Sequence, residues 1–334
     1  MLAAVLERFG EPLVLRERPR PAVQAPGHVL DVLACGVCHS DLHIQAGRAG
    51  VELPLVPGHE VVVDDPELGP SLVYASWGCG RCRRCRAGEE QLCPRAADPG
   101  WQDDGGYAGS IALRSRRHLV PVDGLDPVRA APLADAGLTP YRAVRRAATA
   151  LEDGGTAVVG GAGGLGQFAL QYLRRLTRAD RIVAVDPSES KRARALALGA
   201  DEAVEPGEEL GPIRVGLDFV GTSESLGELV SAAEAGGLVV LVGEAGGSIE
   251  FGFGSARFEV GVTTSVLGSI PELREVVALA RAGAMEWTVD PMPLARANEA
   301  LDRLRSGAVE GRLVLVPPRP DGSGMSSAAP RAMS

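Results

Sequence analysis

Four cysteines stand close together at Cys79, Cys82, Cys85 and Cys93, inside WGCGRCRRCRAGEEQLC. The spacing C-x2-C-x2-C-x7-C is compact enough for four thiolates to surround one tetrahedral zinc. Two disulfides are the other use for such cysteines. Adjacent CxxC pairs make strained bridges, however, and the amino terminus, MLAAVLERFGE, meets Glu7 and Arg8 too early for the apolar core of a secretion signal. Zinc-bound thiolates carry net negative charge, which Arg81, Arg83, Arg84 and Arg86 would offset; the same arginines would also serve as an ordinary solvated face. A zinc held by four cysteines has no open position, so this site reads as structural and the chemistry is expected elsewhere.

A second chemical signature lies mid-chain. Residues 155–160 (GTAVVG) read as a short apolar strand that runs into Gly161-Ala162-Gly163-Gly164-Leu165-Gly166 and then a helix, QFALQYLRRL. This is G-x-G-x-x-G in the strand–turn–helix setting that a dinucleotide requires. Gly161 allows the tight turn, Gly163 lets backbone approach a pyrophosphate, and Gly166 lets helix pack on strand. The helix amino terminus offers N–H groups and a positive dipole end to phosphates. A following strand, RIVAV, ends at Asp186, a carboxylate placed to accept both ribose hydroxyls of an adenosine. Such an acid repels a 2′-phosphate, which favours NAD over NADP, although Arg192 or Arg194 could invert that preference.

The elements that must carry these groups are consistent with an α/β chain. Further strands are read at VGLDFVG (215–221), GLVVLVG (237–243) and VTTSVLG (262–268), separated by helical or Gly-rich segments, the pattern of a doubly wound parallel sheet. At 334 residues the chain exceeds what one core usually supports, so two domains are the default. With 45% hydrophobic and 23% charged residues it reads as globular, and a net charge of −9 argues against a nucleic-acid or anionic-membrane partner. One stretch, Gly154 to Leu173, has no charge over 20 residues, but seven glycines make it a poor membrane span. A reducing cytoplasm is the expected compartment. Basic charge is almost all arginine, with a single lysine, Lys191, a bias that a GC-rich genome explains without function. The tail from Arg319 to Ser334 is Ser/Pro/Gly/Ala-rich and is expected to be disordered.

Upstream of the cysteine loop lie Cys38-His39-Ser40-Asp41-Leu42-His43 and, later, Gly58-His59-Glu60. Taken singly, Cys38 reads as a small buried residue and His59 as a satisfied loop histidine, and spacing alone does not join them. With GVCHSD, PGHE, the four-cysteine loop and the glycine fingerprint in this order, the chain resembles zinc-dependent medium-chain alcohol dehydrogenases over residues 1 to about 317. The resemblance implies a GroES-like β-barrel catalytic domain over residues 1–138, a Rossmann domain over 139–268 and a return to the catalytic domain over 269–318. A cleft between the domains would hold catalytic zinc.

By position, the resemblance makes Cys38, His59 and Asp135 the catalytic zinc ligands. Asp135, in APLADAGLTPY, stands where many members have cysteine, and a carboxylate is a sound zinc ligand. In isolation it would read as a helix cap. Glu60 matches an acid able to approach the zinc during ligand exchange, and Asp41 one that orients the histidine ligand. Zinc would act as Lewis acid on an alcohol or carbonyl oxygen while hydride moves to or from nicotinamide. Ser40, the nicotinamide ribose and His43 would relay the proton to solvent. His39 and Arg312 are implied at the pyrophosphate and Thr139 at the nicotinamide. Lys191 is implied at the ribose, and Gly164, Leu165 and Val242 along the cofactor path. Trp77 and Trp101 are candidates for the substrate pocket, though large aromatics are as often core. Two zincs per chain, NAD, a small alcohol, aldehyde or ketone, and a homodimer or homotetramer complete the expectation. A zinc-independent quinone or enoyl reductase of the same superfamily should lack Cys38, His59 and the cysteine loop. A cofactor-binding homologue without turnover would keep them, and an alcohol-dependent rise in NADH would distinguish it.

The chain departs from the pattern twice. VVVDDPELGPSLVYAS, between His59 and Cys79, is shorter than usual, so two barrel strands must be trimmed or joined by a tight turn near Pro66 to Pro70. The Rossmann half is abbreviated around EPGEELGPIR (205–214).

Overall fold

A six-stranded sheet of parallel strands forms one half of the molecule. In the computed structural model, which describes residues 1–23 and 26–318, the strands lie side by side in a doubly wound sequence. Across the sheet they run Glu202–Val204, Arg181–Val185, Thr156–Gly160, Ile213–Asp218, Ala233–Leu241 and Gly261–Thr264. The first strand in sequence, Thr156–Gly160, sits in the middle, and the chain winds outward from it in both directions. Ligands of such sheets bind at the carboxyl ends of the strands where the order reverses, here between Thr156–Gly160 and Ile213–Asp218. Ala157, Val158 and Val159 are fully buried because helices cover both faces. The expected tail from Arg319 lies outside the described residues.

Some strand limits differ from the sequence reading. VGLDFVG stops pairing at Asp218, whose Oδ1 accepts the N–H groups of Val220 and Gly221, both at 2.9 Å, and turns the chain. VTTSVLG pairs only over Gly261–Thr264. The strand read from Gly237 begins earlier, at Ala233.

The other half is a mostly antiparallel sheet centred on the long strand His28–Gly36. Its first residues pair with Ser110–Leu113, and from Asp31 onward it pairs with Glu60–Asp65. The shortened segment is closed as a hairpin between Glu60–Asp65 and Gly69–Val73. Asp65 Oδ1 accepts the N–H groups of Glu67 at 2.9 Å and Leu68 at 3.0 Å, and Gly69 takes the left-handed conformation that completes the turn. The carboxy-terminal strands Val289–Pro293 and Arg312–Val316 rejoin this sheet, the latter antiparallel to His28–Gly36. The two halves share one core. Ala34, Val62 and Leu72 of the antiparallel sheet belong to the same apolar cluster as Val159, Phe168 and Leu217 of the parallel one, with helix Leu138–Ala147 between them. Among the described residues no helix is long and apolar enough to cross a membrane.

Candidate metal and cofactor site

Three chain segments far apart in sequence converge where the two halves meet. Strand His28–Gly36 delivers Cys38 to the start of helix His39–Gln45. There Asp41 accepts the Cys38 N–H at 2.9 Å and a hydrogen bond from the Tyr107 hydroxyl at 2.7 Å. His59 follows Gly58, which has φ +98° and a position where any Cβ would lie 2.4 Å from the Tyr107 ring. Only glycine lets the two loops approach so closely. Asp135 ends the tight turn Ala131–Ala134, just before helix Leu138–Ala147. Thr139 Oγ1, in the first turn of that helix, donates to Asp135 Oδ1 at 2.5 Å, leaving Oδ2 to face the other two groups.

Asp135 Oδ2 stands 3.5 Å from Cys38 Sγ and 3.4 Å from His59 Nε2, and the three ligand atoms all lie within 4.8 Å of one another. Tetrahedral zinc with bonds of about 2.0–2.3 Å separates its ligands by roughly 3.3–3.8 Å, so the donor set fits that ion with one position left open. The opposite ring nitrogen, His59 Nδ1, stands 3.8 Å from Asp41 Oδ1, beyond hydrogen-bond distance but close enough for the carboxylate to favour charge on the ring. Electrostatics agree. Burial opposes charge on His59, yet Asp135, Cys38 and Asp41 hold its pKa well above the usual value. Burial likewise opposes ionisation of Asp135, but His59, Thr139 and Arg312 hold it below the usual carboxylate range. A buried set of anions that raises its only histidine in this way is one that a divalent cation would satisfy.

Behind this cluster Glu60 and Arg312 form a fully buried ion pair. Glu60 Oε1 also accepts the Ala136 N–H at 3.1 Å, while burial, ahead of the opposing Arg312, raises the Glu60 pKa. Gly36 makes room for the carboxylate, since a Cβ there would lie 1.8 Å from Glu60 Oε2. Arg312 reaches in the other direction to the glycine loop, with Nη1 2.8 Å from where a Gly164 Cβ would be. The loop has the expected form. Gly161 has φ +87°, a Cβ on Gly166 would strike the Gly161 carbonyl at 1.9 Å, and Gly163 faces open space. Leu165 precedes helix Gly166–Leu176. Asp186, at the end of Arg181–Val185, accepts the N–H groups of Ala162 at 3.0 Å and Ser188 at 2.9 Å. Its carboxylate is thereby tied to the loop.

The remaining site residues are distributed as follows. Ser40 Oγ is 3.7 Å from Cys38 Sγ. His39 is exposed at the surface, yet the protein around it displaces enough water, with Arg312, His43 and Lys191 adding positive charge, to lower its pKa to about 4. Lys191 lies in the first turn of helix Glu189–Ala197. His43 Nδ1 is 4.0 Å from Glu244 Oε2. Val242 lies just past strand Ala233–Leu241, its N–H bonded to the Asp218 carbonyl at 2.8 Å. The Trp101 ring sits 5.4 Å from the His59 ring. Trp77 lies in the core of the antiparallel half, 2% exposed and stacked on His118 at 6.0 Å.

The four-cysteine cluster is also assembled, with Cys82 Sγ 3.5 Å from Cys85 Sγ and 3.7 Å from Cys93 Sγ. The arginine bonded to a thiol there is Arg95, which donates to Cys79 Sγ at 3.2 Å; Arg84 instead pairs with Glu89. Sequence reasoning missed Arg95, although it lies only two residues beyond Cys93. It also missed Tyr107 and the buried Glu90. Glu90 accepts from Gly78 N–H at 3.0 Å and from Arg117 at 2.5 Å, fastening the cysteine lobe to the sheet.

Two family descriptions match this chain, an alcohol dehydrogenase GroES-like domain over residues 25–124 and a zinc-binding dehydrogenase over residues 164–282. A D-arabinose 1-dehydrogenase (NADP(+)) of Saccharolobus solfataricus is 32% identical over 94% of this chain and 97% of its own length. The chain belongs to the zinc-dependent medium-chain dehydrogenase family. An NAD-dependent alcohol dehydrogenase of Sulfurisphaera tokodaii is 33% identical over 95% of this dehydrogenase and 100% of its own length. The crystal structure of the alcohol dehydrogenase of Aeropyrum pernix has a TM-score of 0.86, at 32% identity, over 95% of this dehydrogenase and 100% of that chain. The dehydrogenase is thus a nicotinamide-dependent alcohol oxidoreductase with GroES-like and Rossmann halves.

Proposed function

We propose that this dehydrogenase interconverts a primary or secondary alcohol and its carbonyl partner, with NAD preferred over NADP. It would carry one catalytic zinc on Cys38, His59 and Asp135 and one structural zinc on Cys79, Cys82, Cys85 and Cys93. The observation that carries this reading is the convergence of Cys38, His59 and Asp135 within 4.8 Å beside a glycine loop, with Arg312 reaching both. When bound, zinc would supply Lewis acidity at the substrate oxygen, and nicotinamide would accept or return the hydride.

The chain's own residues would do the rest. Thr139 fixes which Asp135 oxygen faces the cluster, and the Asp41 carboxylate, 3.8 Å from His59 Nδ1, would favour charge on the His59 ring. Ser40 Oγ, beside Cys38, is the first protein acceptor for the substrate hydroxyl proton. His43 lies three residues on, hence on the same helix face, and its partly exposed imidazole hands the proton to solvent. Asp186 receives the adenosine ribose, with Lys191 beside it, and Arg312 and His39 face the pyrophosphate. Glu60 holds Arg312 and lends a second carboxylate behind the zinc ligands. Trp101 forms an apolar wall against His59, which suits a hydrophobic alcohol, ketone or aldehyde. A homodimer or homotetramer in the cytoplasm is the setting we propose.

The test is NADH formation from a panel of primary and secondary alcohols. Wild type should oxidise at least one, and Asp135→Ala should lower kcat/KM by about 1,000-fold or more, the scale of losing one essential transition-state interaction. Undiminished turnover in that variant would refute the proposed metal set.

A further inference from the structure

We propose that Glu205 is a coenzyme-specificity residue: it latches Arg192 away from the position a 2′-phosphate would occupy. The inference rests on the dinucleotide reading and goes beyond Asp186. Arg192 lies early in helix Glu189–Ala197, four residues after its cap Ser188, and its guanidinium is committed at both ends. Nη1 donates to the main-chain carbonyl of Asp186 at 2.8 Å, and Nη2 donates to Glu205 Oε1 at 2.8 Å.

Glu205 reaches this spot through strand pairing. Strand Glu202–Val204 lies beside Arg181–Val185, and the Val204 carbonyl accepts the Asp186 N–H at 3.1 Å. The turn that follows, EPGEE over 205–209, is therefore set against the strand end that carries Asp186. The turn is pre-formed, since Glu208 Oε1 accepts the Glu205 N–H at 2.8 Å and Gly207 has φ +88°. It is also the abbreviated part of the parallel half, and it concentrates three glutamates in five residues.

A guanidinium next to the ribose-binding acid is the group best shaped to take a 2′-phosphate through two parallel hydrogen bonds. Here each arm of that fork already spends one N–H, Nη1 on the Asp186 carbonyl and Nη2 on Glu205. A 2′-phosphate would have to break the Arg192–Glu205 pair and approach a turn of three carboxylates. The side chain of Arg192 is 16% exposed and that of Glu205 is 61% exposed, so the pair is partly screened by water and the latch is modest. Lys191 is present in either state and does not alter the comparison.

The experiment measures binding of adenosine 2′,5′-bisphosphate and of AMP to the full chain by calorimetry, which needs neither substrate nor zinc. Glu205→Gln should tighten the bisphosphate about three- to ten-fold while AMP changes less than about two-fold, and Arg192→Ala added to it should erase the gain. The ratio of NADP to NAD kcat/KM should rise by the same factor. Unchanged bisphosphate affinity in Glu205→Gln overturns the latch. A gain that survives in Glu205→Gln with Arg192→Ala also overturns it, since lost repulsion alone would then account for the effect. Failure of wild type to bind AMP or NADH would overturn the dinucleotide reading itself, a separate result.

Discussion

Asp135 illustrates how a single side chain acquires its role from its neighbours. In sequence it is an acid before a helix, equally suited to capping. In the fold, one oxygen takes the Thr139 hydroxyl and the other faces Cys38 and His59. Thr139 was expected against the nicotinamide; its hydroxyl bond to Asp135 was not foreseeable, because it depends on the turn between them. A second residue-scale consequence concerns His118, buried on Trp77 beside Glu90. Burial, followed by the charge of Arg117, pushes its pKa down from 6.5 to about 3. The folded chain thus keeps His118 neutral where the unfolded chain takes up a proton. Its contribution to stability is intact above about pH 6.5 and is lost progressively as pH falls from there toward about 3. Unfolding free energies from urea titrations between pH 7 and 5 should fall with a slope of up to about 1.4 kcal/mol per pH unit from this group. Replacing it by His118→Gln should flatten that part of the profile. An equally steep profile in the variant would assign the acid sensitivity to other groups.

Helix Leu138–Ala147 is the element that connects the cysteine lobe to the metal cluster. It carries Thr139 at one end and, one turn later, Arg142, whose side chain is only 12% exposed. Arg142 bridges Glu89 of the lobe at 3.5 Å and Glu272 of helix Ile270–Arg281 at 3.0 Å. Because both acids would lose a partly buried cation, Arg142→Met should destabilise the protein by about 1–3 kcal/mol. It should also speed chelator-driven zinc release from the four-cysteine lobe, where Glu89 pairs with Arg84. Release at the wild-type rate would show that the lobe holds its metal without the helix. Elements with strong local signals were legible in advance. The glycine loop and its flanking strand and helix stand where the residues placed them, and the tight turn expected near Pro66 to Pro70 closes earlier, over 66–68, with Pro70 already in the strand. The strand read as VTTSVLG was overextended, because the last sheet bond is that of the Ser265 N–H to the Leu241 carbonyl and the chain then turns at Leu267, which has φ +45°.

At the scale of the whole molecule, function depends on two sheets meeting. Spacing alone could not have joined Cys38, His59 and Asp135, which come from a strand end, a loop and a turn of the chain. Family resemblance supplied that grouping, and the shared core makes it physical. The Glu60–Arg312 pair then links the cluster to the glycine loop across 252 residues of sequence. What remained hidden were side chains that support others, such as Arg95, Tyr107, Glu90 and Glu205. Each acts through a contact distant in sequence or at a turn, where residue type carries little local signal.

We propose that one chain holds two zincs in different settings, one enclosed by four cysteines and one on Cys38, His59 and Asp135 with a position left open. Zinc per chain by elemental analysis, on wild type, Asp135→Ala and Cys93→Ser, tests this most directly. Wild type should contain close to two zincs, and each variant close to one, with alcohol oxidation abolished in Asp135→Ala. A value near one in both wild type and Asp135→Ala would contradict the claim, leaving only the cysteine lobe filled and no open metal to act on an alcohol.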